Sequence, residues 1–307
     1  MSSKTDMFID RRRLKRHVTF WRAATIVAIV MMSVVVIGKA NLIGVGRHHV
    51  ALLEIEGLIL SKPQREQMLY DLIENAAAVA LVVRIDSPGG ETAASESVYR
   101  ALRAISEVKP VVVVMGSVAA SGGYMAALAA DRIFARESTI TGSIGVVLEA
   151  TNLVGLMEMM GVENETIRSG PLKAQPNLLE RLTPDARAVN QRLVDDIHGM
   201  FKHMVAERRG LDPNVVEALA DGRVFSGADA KSNGLIDALG GLPEARRWLE
   251  EKYAIPVTLP NQALQTFRTK HWLDWLFSTA IQKSYFAERL TLDGLVSVWH
   301  PFISNKW

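Results

Sequence analysis

The strongest candidate for a nucleophile in this chain is a serine set among small residues. Ser121 lies between Ala119-Ala120 and Gly122-Gly123, and an apolar run, residues 125–130, follows. This pattern predicts the N-terminus of a buried helix, where a serine hydroxyl can either cap the helix or face a carbonyl carbon. In the second case the Gly122 N–H points at the developing oxyanion, and only small neighbours leave room for a bound peptide.

A serine nucleophile needs a base, and histidine is poorly placed to supply it. Five of the seven histidines lie in the N-terminal basic block, the segment before residue 50 or the C-terminal tail. The other two, His198 and His203, are five residues apart on one long predicted helix and have no evident third partner. Lysine remains, although an amine acts as a base near neutral pH only where burial removes water. Lys173 lies in a Gly- and Pro-bounded loop between a β-rich run and the long helix, where an ordinary surface lysine also fits.

Two further Gly-rich segments follow predicted strands. In Ser87-Pro88-Gly89-Gly90-Glu91, the glycine pair lets the backbone turn sharply and bring its N–H groups close to a ligand. Taken alone, this segment is more often an ordinary strand-to-helix turn than an oxyanion hole. The second segment, Thr141-Gly142-Ser143-Ile144-Gly145, is also predicted to be a turn.

Alternating strand and helix patterns position these segments. The strand patterns cover residues 50–55, 79–85 and 111–115. The helix patterns cover residues 63–77, 94–107, 183–210 and 242–253. Because mostly apolar strand patterns alternate with helix patterns, the sequence predicts an α/β fold with parallel strands covered by helices.

Composition and charge exclude several classes of protein. The 307 residues are 49% apolar and 22% charged, which is typical of a globular chain rather than a disordered or collagenous one. With no cysteine and no H-E-x-x-H motif, we expect no metal ion and no cofactor. Residues 1–22 carry seven basic and two acidic side chains, and the remaining residues carry 28 basic and 31 acidic side chains. The folded part therefore lacks the basic surface of a nucleic-acid-binding protein.

An uncharged apolar run follows the basic block directly. Residues 23–38 carry no charge, and as a helix they would span about 24 Å of a hydrocarbon core of about 30 Å. A cleaved signal peptide and a buried core helix are alternatives, but the long basic region favours an uncleaved signal anchor over residues 23–39. The positive flank then leaves residues 1–22 in the cytoplasm and sends the rest of the chain across the membrane.

In their order along the chain, these segments resemble the signal peptide peptidase A family, membrane-anchored Ser-Lys peptidases of bacteria, in its short single-domain form. The resemblance covers residues 50–253, about two-thirds of the chain. The matching segments are residues 87–90, 119–124, 141–145, 169–173, 221–227 and 234–237.

The resemblance implies a spiral of β-β-α units, the fold of the Clp protease and crotonase superfamily, and a ring-shaped homo-oligomer. It implies Ser121 as the nucleophile, Lys173 as the general base and Ser143 as the residue that orients the lysine amine. The oxyanion hole would consist of backbone N–H groups from Gly122 and from Gly89 or Gly90. Two questions stay open: which of that glycine pair donates, and whether serine and lysine meet within one chain or between chains.

The same resemblance implies the substrate and the location. The expected partners are signal peptides or other apolar peptides and the lipid bilayer. The expected location is the bacterial inner membrane, with the catalytic domain on the periplasmic or extracytoplasmic side. Alternatives are a related Ser-Lys protease acting on a folded membrane-associated protein and a non-catalytic scaffold of the same fold. An acyl-CoA hydratase or isomerase is disfavoured, because CoA is cytoplasmic.

The predicted organisation has five parts, the last of which is rich in aromatic residues. They are a cytoplasmic segment (1–22), an anchor (23–39), a linker (40–49), a peptidase domain (50–255) and a C-terminal extension (256–307). The extension holds nine of the chain's twenty aromatic residues. It either packs on the domain or on a neighbouring subunit, or lies in the membrane interface.

Overall fold

The computed structural model describes residues 18, 20–33, 48–264 and 296–298. The chain divides into two compact units, Met1–His48 and His49–Trp307. In the first unit, residues 18 and 20–33 are helical (α1). Among the residues that the structure describes, no helix has both the length and the apolar character needed to cross a membrane. The end of the predicted anchor, residues 34–39, lies outside the described residues.

The second unit is built on a mostly parallel sheet. Its central strands are β1 (His49–Glu56), β2 (Ala78–Ser87) and β4 (Val111–Ala120). The other strands of this sheet are β5 (Arg132–Ala135), β6 (Ile140–Gly142), β7 (Val224–Ser226), β8 (Ala238–Leu239) and β9 (Asn261–Ala263). The order is β7-β6-β4-β2-β1-β9, and β5 pairs with both β4 and β8. A three-residue strand, β3 (Gly89–Glu91), lies outside this sheet.

Helices cover both faces of the sheet because successive side chains of each strand point to opposite sides. On one side, Val111, Val113 and Met115 of β4 share a core with α2 (Pro63–Glu74), α3 (Thr92–Ser106) and α4 (Gly122–Ala127). On the other side, Val112 and Val114 share a second core with α9 (Leu242–Tyr253). The predicted α/β class, with buried parallel strands, is therefore confirmed.

The remaining helices are α5 (Val154–Met160), α6 (Pro184–Arg209), α7 (Pro213–Leu219) and α8 (Gly227–Ser232). Helix α6 begins as its sequence predicts. The Thr183 side chain accepts a hydrogen bond from the Ala186 N–H at 3.2 Å, and Pro184 occupies the first turn. Gly210 ends the helix in the left-handed conformation, at φ 63°.

Strand β4 is longer than its sequence pattern predicts. The pattern ends at residue 115, but the strand continues through Gly116 to Ala120. Asp86 explains how: its Oδ1 accepts a hydrogen bond from the Val118 N–H at 3.1 Å where the register with β2 shifts. A Cβ on Gly116 would lie 2.6 Å from Asp86 Oδ2, so glycine makes room for this carboxylate. Strand β4 therefore extends to Ala120, the residue directly before Ser121.

Two other segments differ from the sequence expectation. Thr141 and Gly142, predicted to form a turn, belong to β6, which pairs in parallel with Val118–Ala120. Within residues 151–183, all of which the structure describes, there is no strand where a β-rich run was expected. That segment contains only α5, none of whose side chains is buried.

Gly116→Ala is expected to lower the free energy of unfolding by about 1–3 kcal/mol, because the new methyl group displaces the Asp86 carboxylate. Gly199→Ala is the matched control, since a Cβ at that exposed position in α6 meets no atom within 4 Å. It should instead stabilise the protein by about 0.5–1 kcal/mol. Urea unfolding of the two variants checks this, and equal midpoints would contradict it.

Candidate active site

Ser121 has a backbone conformation that side-chain-bearing residues rarely adopt. Its φ and ψ are 55° and −118°, at a cost of about 1–3 kcal/mol. Two hydrogen bonds hold it: its N–H donates to the Gly142 carbonyl at 2.8 Å, and its carbonyl accepts from the Met125 N–H at 2.9 Å. The residue is only 1% exposed. Its side chain makes no capping bond to α4, so the structure does not bear out the capping alternative.

The Ser87-Pro88-Gly89-Gly90 turn ends in β3, which is held from one side by Ile59. The Ile59 N–H donates to the Gly89 carbonyl at 2.8 Å, and the Glu91 N–H donates to the Ile59 carbonyl at 2.9 Å. A Cβ on Gly90 would lie 2.1 Å from the Ile59 carbonyl oxygen, so only glycine allows this approach. The Gly89 N–H donates to Ser87 Oγ at 3.1 Å. Gly89 is therefore already engaged by its own turn.

The two Gly-rich turns lie directly against one another. A Cβ on Gly122 would lie 3.3 Å from the Gly90 nitrogen and 2.3 Å from Ser95 Oγ. Ser95 is buried, and its hydroxyl donates to the Glu91 carbonyl at 2.9 Å. The backbone of Gly90 and Gly122 is thus brought together beside Ser121, with no side chain between them.

Ser143 lies at the same edge of the sheet. Ala120 and Gly142 are paired residues of parallel strands, so Ser121 and Ser143 are the next residues of chains about 4.8 Å apart. Ser143 also has a positive φ of 48°, and its N–H donates to the Arg223 carbonyl at 2.8 Å. The Thr141 hydroxyl donates to the Ala119 carbonyl at 2.7 Å and ties the two strand ends together.

Lys173 lies in a turn on the exposed part of the chain between α5 and α6. Its N–H donates to the Gly170 carbonyl at 3.1 Å. Among the residues that the structure describes, its side chain has no hydrogen-bond or ion-pair partner. The fold of one chain thus gathers Ser121, Ser143 and the glycine amides, but does not connect Lys173 with them.

Glu180 holds the loop that carries Lys173. Its carboxylate pairs with Arg168 before the lysine, and accepts from Gln175 Nε2 at 2.7 Å and Asn177 Nδ2 at 3.3 Å after it. Hydrogen bonds from Thr166 and then Arg168 lower the pKa of Glu180 below its ordinary value. The carboxylate is therefore the common acceptor for both ends of the loop.

Sequence reasoning missed the side chains that support this site. These side chains, Ser95, Thr141 and Asp86, each form a hydrogen bond with a backbone group of another residue. Only the partner of Ser95 is nearby in the chain. Only Asp86 has a sequence signal, as an acidic residue directly after the strand pattern at residues 79–85. Among the described residues, no group of three or more side chains could hold a metal ion.

A buried serine in a strained turn, packed against glycine backbone, is compatible with the nucleophile and oxyanion hole of a serine peptidase. Residues 103–255 match Peptidase family S49. A putative protease of Synechocystis sp. is 39% identical over 203 residues, which are 66% of this chain and 73% of that protein. The chain belongs to peptidase family S49 and is a serine peptidase, so the resemblance stated from the sequence motifs is confirmed.

A second relative is the chloroplastic serine protease SPPA of Arabidopsis thaliana. It is 35% identical over 265 residues, which are 82% of this chain but 39% of the plant protein. Two solved structures are similar at 16% identity. A ClpP1 mutant from Listeria monocytogenes gives a TM-score of 0.43, covering 63% of this chain and 92% of its own. A mutant of the 1510-N membrane-bound stomatin-specific protease gives a TM-score of 0.46, covering 72% of this chain and 99% of its own.

The contact between Gly122 and Ser95 predicts a coupled pair of substitutions. Gly122→Ala should destabilise the protein because the new Cβ overlaps Ser95 Oγ. Ser95→Ala removes that oxygen, so the double variant should be less destabilised than the sum of the singles by about 1–2 kcal/mol. A denaturant double-mutant cycle measures this. Additivity within about 0.4 kcal/mol would show that Gly122 does not contact Ser95 as described.

Glu180→Gln should loosen the lysine loop without unfolding the domain. In the native chain, a lowered carboxylate pKa means that the stabilisation is present near neutral pH and lost as the pH falls below the ordinary glutamate range. Hydrogen exchange of residues 168–180 should accelerate in the variant at neutral pH. Glu163→Gln, at an exposed position of the same segment, is the control. Equal hydrogen-exchange rates in both variants would show that Glu180 does not hold the loop.

Proposed function

We propose that this chain is a membrane-anchored endopeptidase in which Ser121 is the nucleophile and Lys173 the general base. Its substrates are cleaved signal peptides or other apolar peptides. The observation that carries the proposal is the conformation of Ser121, buried and held at φ 55° beside the Gly122 and Gly90 backbone. The strained conformation favours a catalytic role over a non-catalytic scaffold, because backbone strain is concentrated at functional sites.

The mechanism follows from these positions. The neutral lysine amine takes the proton of the Ser121 hydroxyl as Oγ attacks the peptide carbonyl carbon. The N–H groups of Gly122 and Gly90 stabilise the oxyanion, and Gly90 is the better donor because the Gly89 N–H is engaged with Ser87. The lysine returns the proton to the leaving amine, and water activated by the same lysine hydrolyses the acyl-enzyme. Ser143, beside Ser121, holds the amine in position.

The base in this proposal comes from a neighbouring copy of the chain in a ring-shaped homo-oligomer. Lys173 is exposed and unpartnered in the described part of one chain, although a neutral amine requires a desolvated site. The segment that carries it is also exposed and apolar. Its large exposed side chains include Leu156, Met159, Met160, Ile167, Leu172 and Leu178. Covering that surface with a second subunit would bury the apolar side chains and remove water from the amine together.

The location is proposed from the sequence of the first unit. The basic block at residues 1–22 and the apolar run at 23–39 favour an uncleaved anchor in the bacterial inner membrane, with the N-terminus in the cytoplasm. The peptidase domain would then meet its substrates on the extracytoplasmic side. We assign the domain to the Clp protease and crotonase type of spiral, supported by a parallel sheet with helices on both faces.

The assignment is tested with the full-length chain in detergent and an apolar signal-sequence peptide. Ser121→Ala and Lys173→Ala should each abolish cleavage while leaving folding and assembly intact. Two matched controls, Ser117→Ala on the same strand and Lys231→Ala on α8, replace exposed residues and should retain wild-type rates. Wild-type activity in either dyad variant would refute the dyad.

Mixing the two inactive variants tests whether the site is shared. If serine and lysine come from different copies, randomly mixed oligomers contain intact sites at about a quarter of the wild-type number. Peptide cleavage should therefore reappear after subunit exchange, to roughly that fraction. Persistent inactivity of the mixed sample, with exchange shown by mass, would place both residues in one chain.

A further inference from the structure

A strand from the C-terminal extension lies on the glycine turn of the site. β10 (Val296–Val298) pairs with β3 in the antiparallel direction. In this register Val296 is opposite Glu91, Ser297 is opposite Gly90, and Val298 is opposite Gly89. The pairing joins parts of the chain about two hundred residues apart in sequence, and neither the fold nor the proposed chemistry requires it.

The register identifies which backbone groups meet. The carbonyl of Gly89 and the N–H of Glu91 are bonded to Ile59, on the other side of β3. Backbone groups of successive residues in a strand point in alternate directions, so the N–H and carbonyl of Gly90 face β10. The residue opposite them is Ser297. Its backbone groups therefore meet those of Gly90.

The same edge of β3 is where a substrate must lie. A carbonyl that reaches both Ser121 and the Gly90 N–H belongs to a chain running beside Gly90, because the Gly122 backbone adjoins the Gly90 nitrogen. An extended peptide binds such an edge by adding a strand. The sequence of residues 295–299, Leu-Val-Ser-Val-Trp, is apolar apart from one serine and matches the substrate chemistry proposed above.

We propose that residues 296–298 act as an internal pseudosubstrate, with Ser297 at the position of the residue whose carbonyl is attacked. The inference rests on the proposed function, and it gives the C-terminal extension a role as an inhibitory segment. A tethered strand competes at an effective concentration in the millimolar range, so free peptides bind only when they displace it. The segment thereby restrains cleavage until an extended apolar chain takes its place.

Ser297→Pro is the sharpest test, because proline removes the N–H that faces Gly90. Loss of this pairing should raise kcat/KM for a short apolar peptide about tenfold. Val296→Pro is the matched control, since the N–H at that position points away from β3, and it should stay near wild type. A chain ending at residue 264 should be at least as active as the proline variant. Wild-type rates for both Ser297→Pro and the shortened chain would overturn the proposal.

A second measurement does not depend on catalysis. In a Ser121→Ala background, hydrogen exchange of the Gly90 amide should accelerate about tenfold on adding Ser297→Pro and should not change with Val296→Pro. Unchanged exchange in both would mean that β10 does not occupy this edge. Faster exchange without peptide cleavage by any form would instead overturn the proposed function and leave the strand pairing standing. Inhibition that weakens on dilution of the wild-type chain would show that the segment acts on another copy, contrary to the proposal.

Discussion

The site depends on a contact between two stretches of backbone that have no side chain between them. Gly90 and Gly122 come from turns more than thirty residues apart, and each is so close to its neighbours that a Cβ would overlap another atom. Hydrogen-bond donors of the backbone have fixed directions, unlike those of flexible side chains, so this contact would set the geometry of the proposed oxyanion hole before any substrate binds. The parallel sheet and its covering helices keep the two turns together.

Much of this arrangement follows from local sequence patterns. The mostly apolar runs at residues 50–55 and 79–85 predict strands, and the structure has both as β1 and β2. Helix α6 begins at Pro184 and ends at its C-cap Gly210, as its sequence signals predict, and α9 begins directly after Gly241. Ser121 lies at the start of α4 as its small neighbours predict. These features could be predicted because the residues that determine them are adjacent in the chain.

The features that could not be predicted depend on partners distant in sequence. Gly116 interrupts an apolar run and resembles the end of a strand, yet β4 continues because Asp86, thirty residues earlier, accepts a hydrogen bond from Val118. Thr141 becomes part of a strand because Ala119 is beside it. The pairing of β10 with β3 joins segments about two hundred residues apart. No local propensity encodes such pairings, since their free energy arises only after the chain has folded.

The conformation of Ser121 also has a consequence for the evolution of the chain. A residue at φ 55° is one where glycine would relieve strain, so replacing Ser121, the proposed nucleophile, with glycine would make the fold more stable. The native sequence is therefore not at its stability optimum at a position on which the proposed catalysis depends. Mutational drift in a lineage that no longer needed the activity would favour glycine here, whereas selection for proteolysis opposes that drift in every generation.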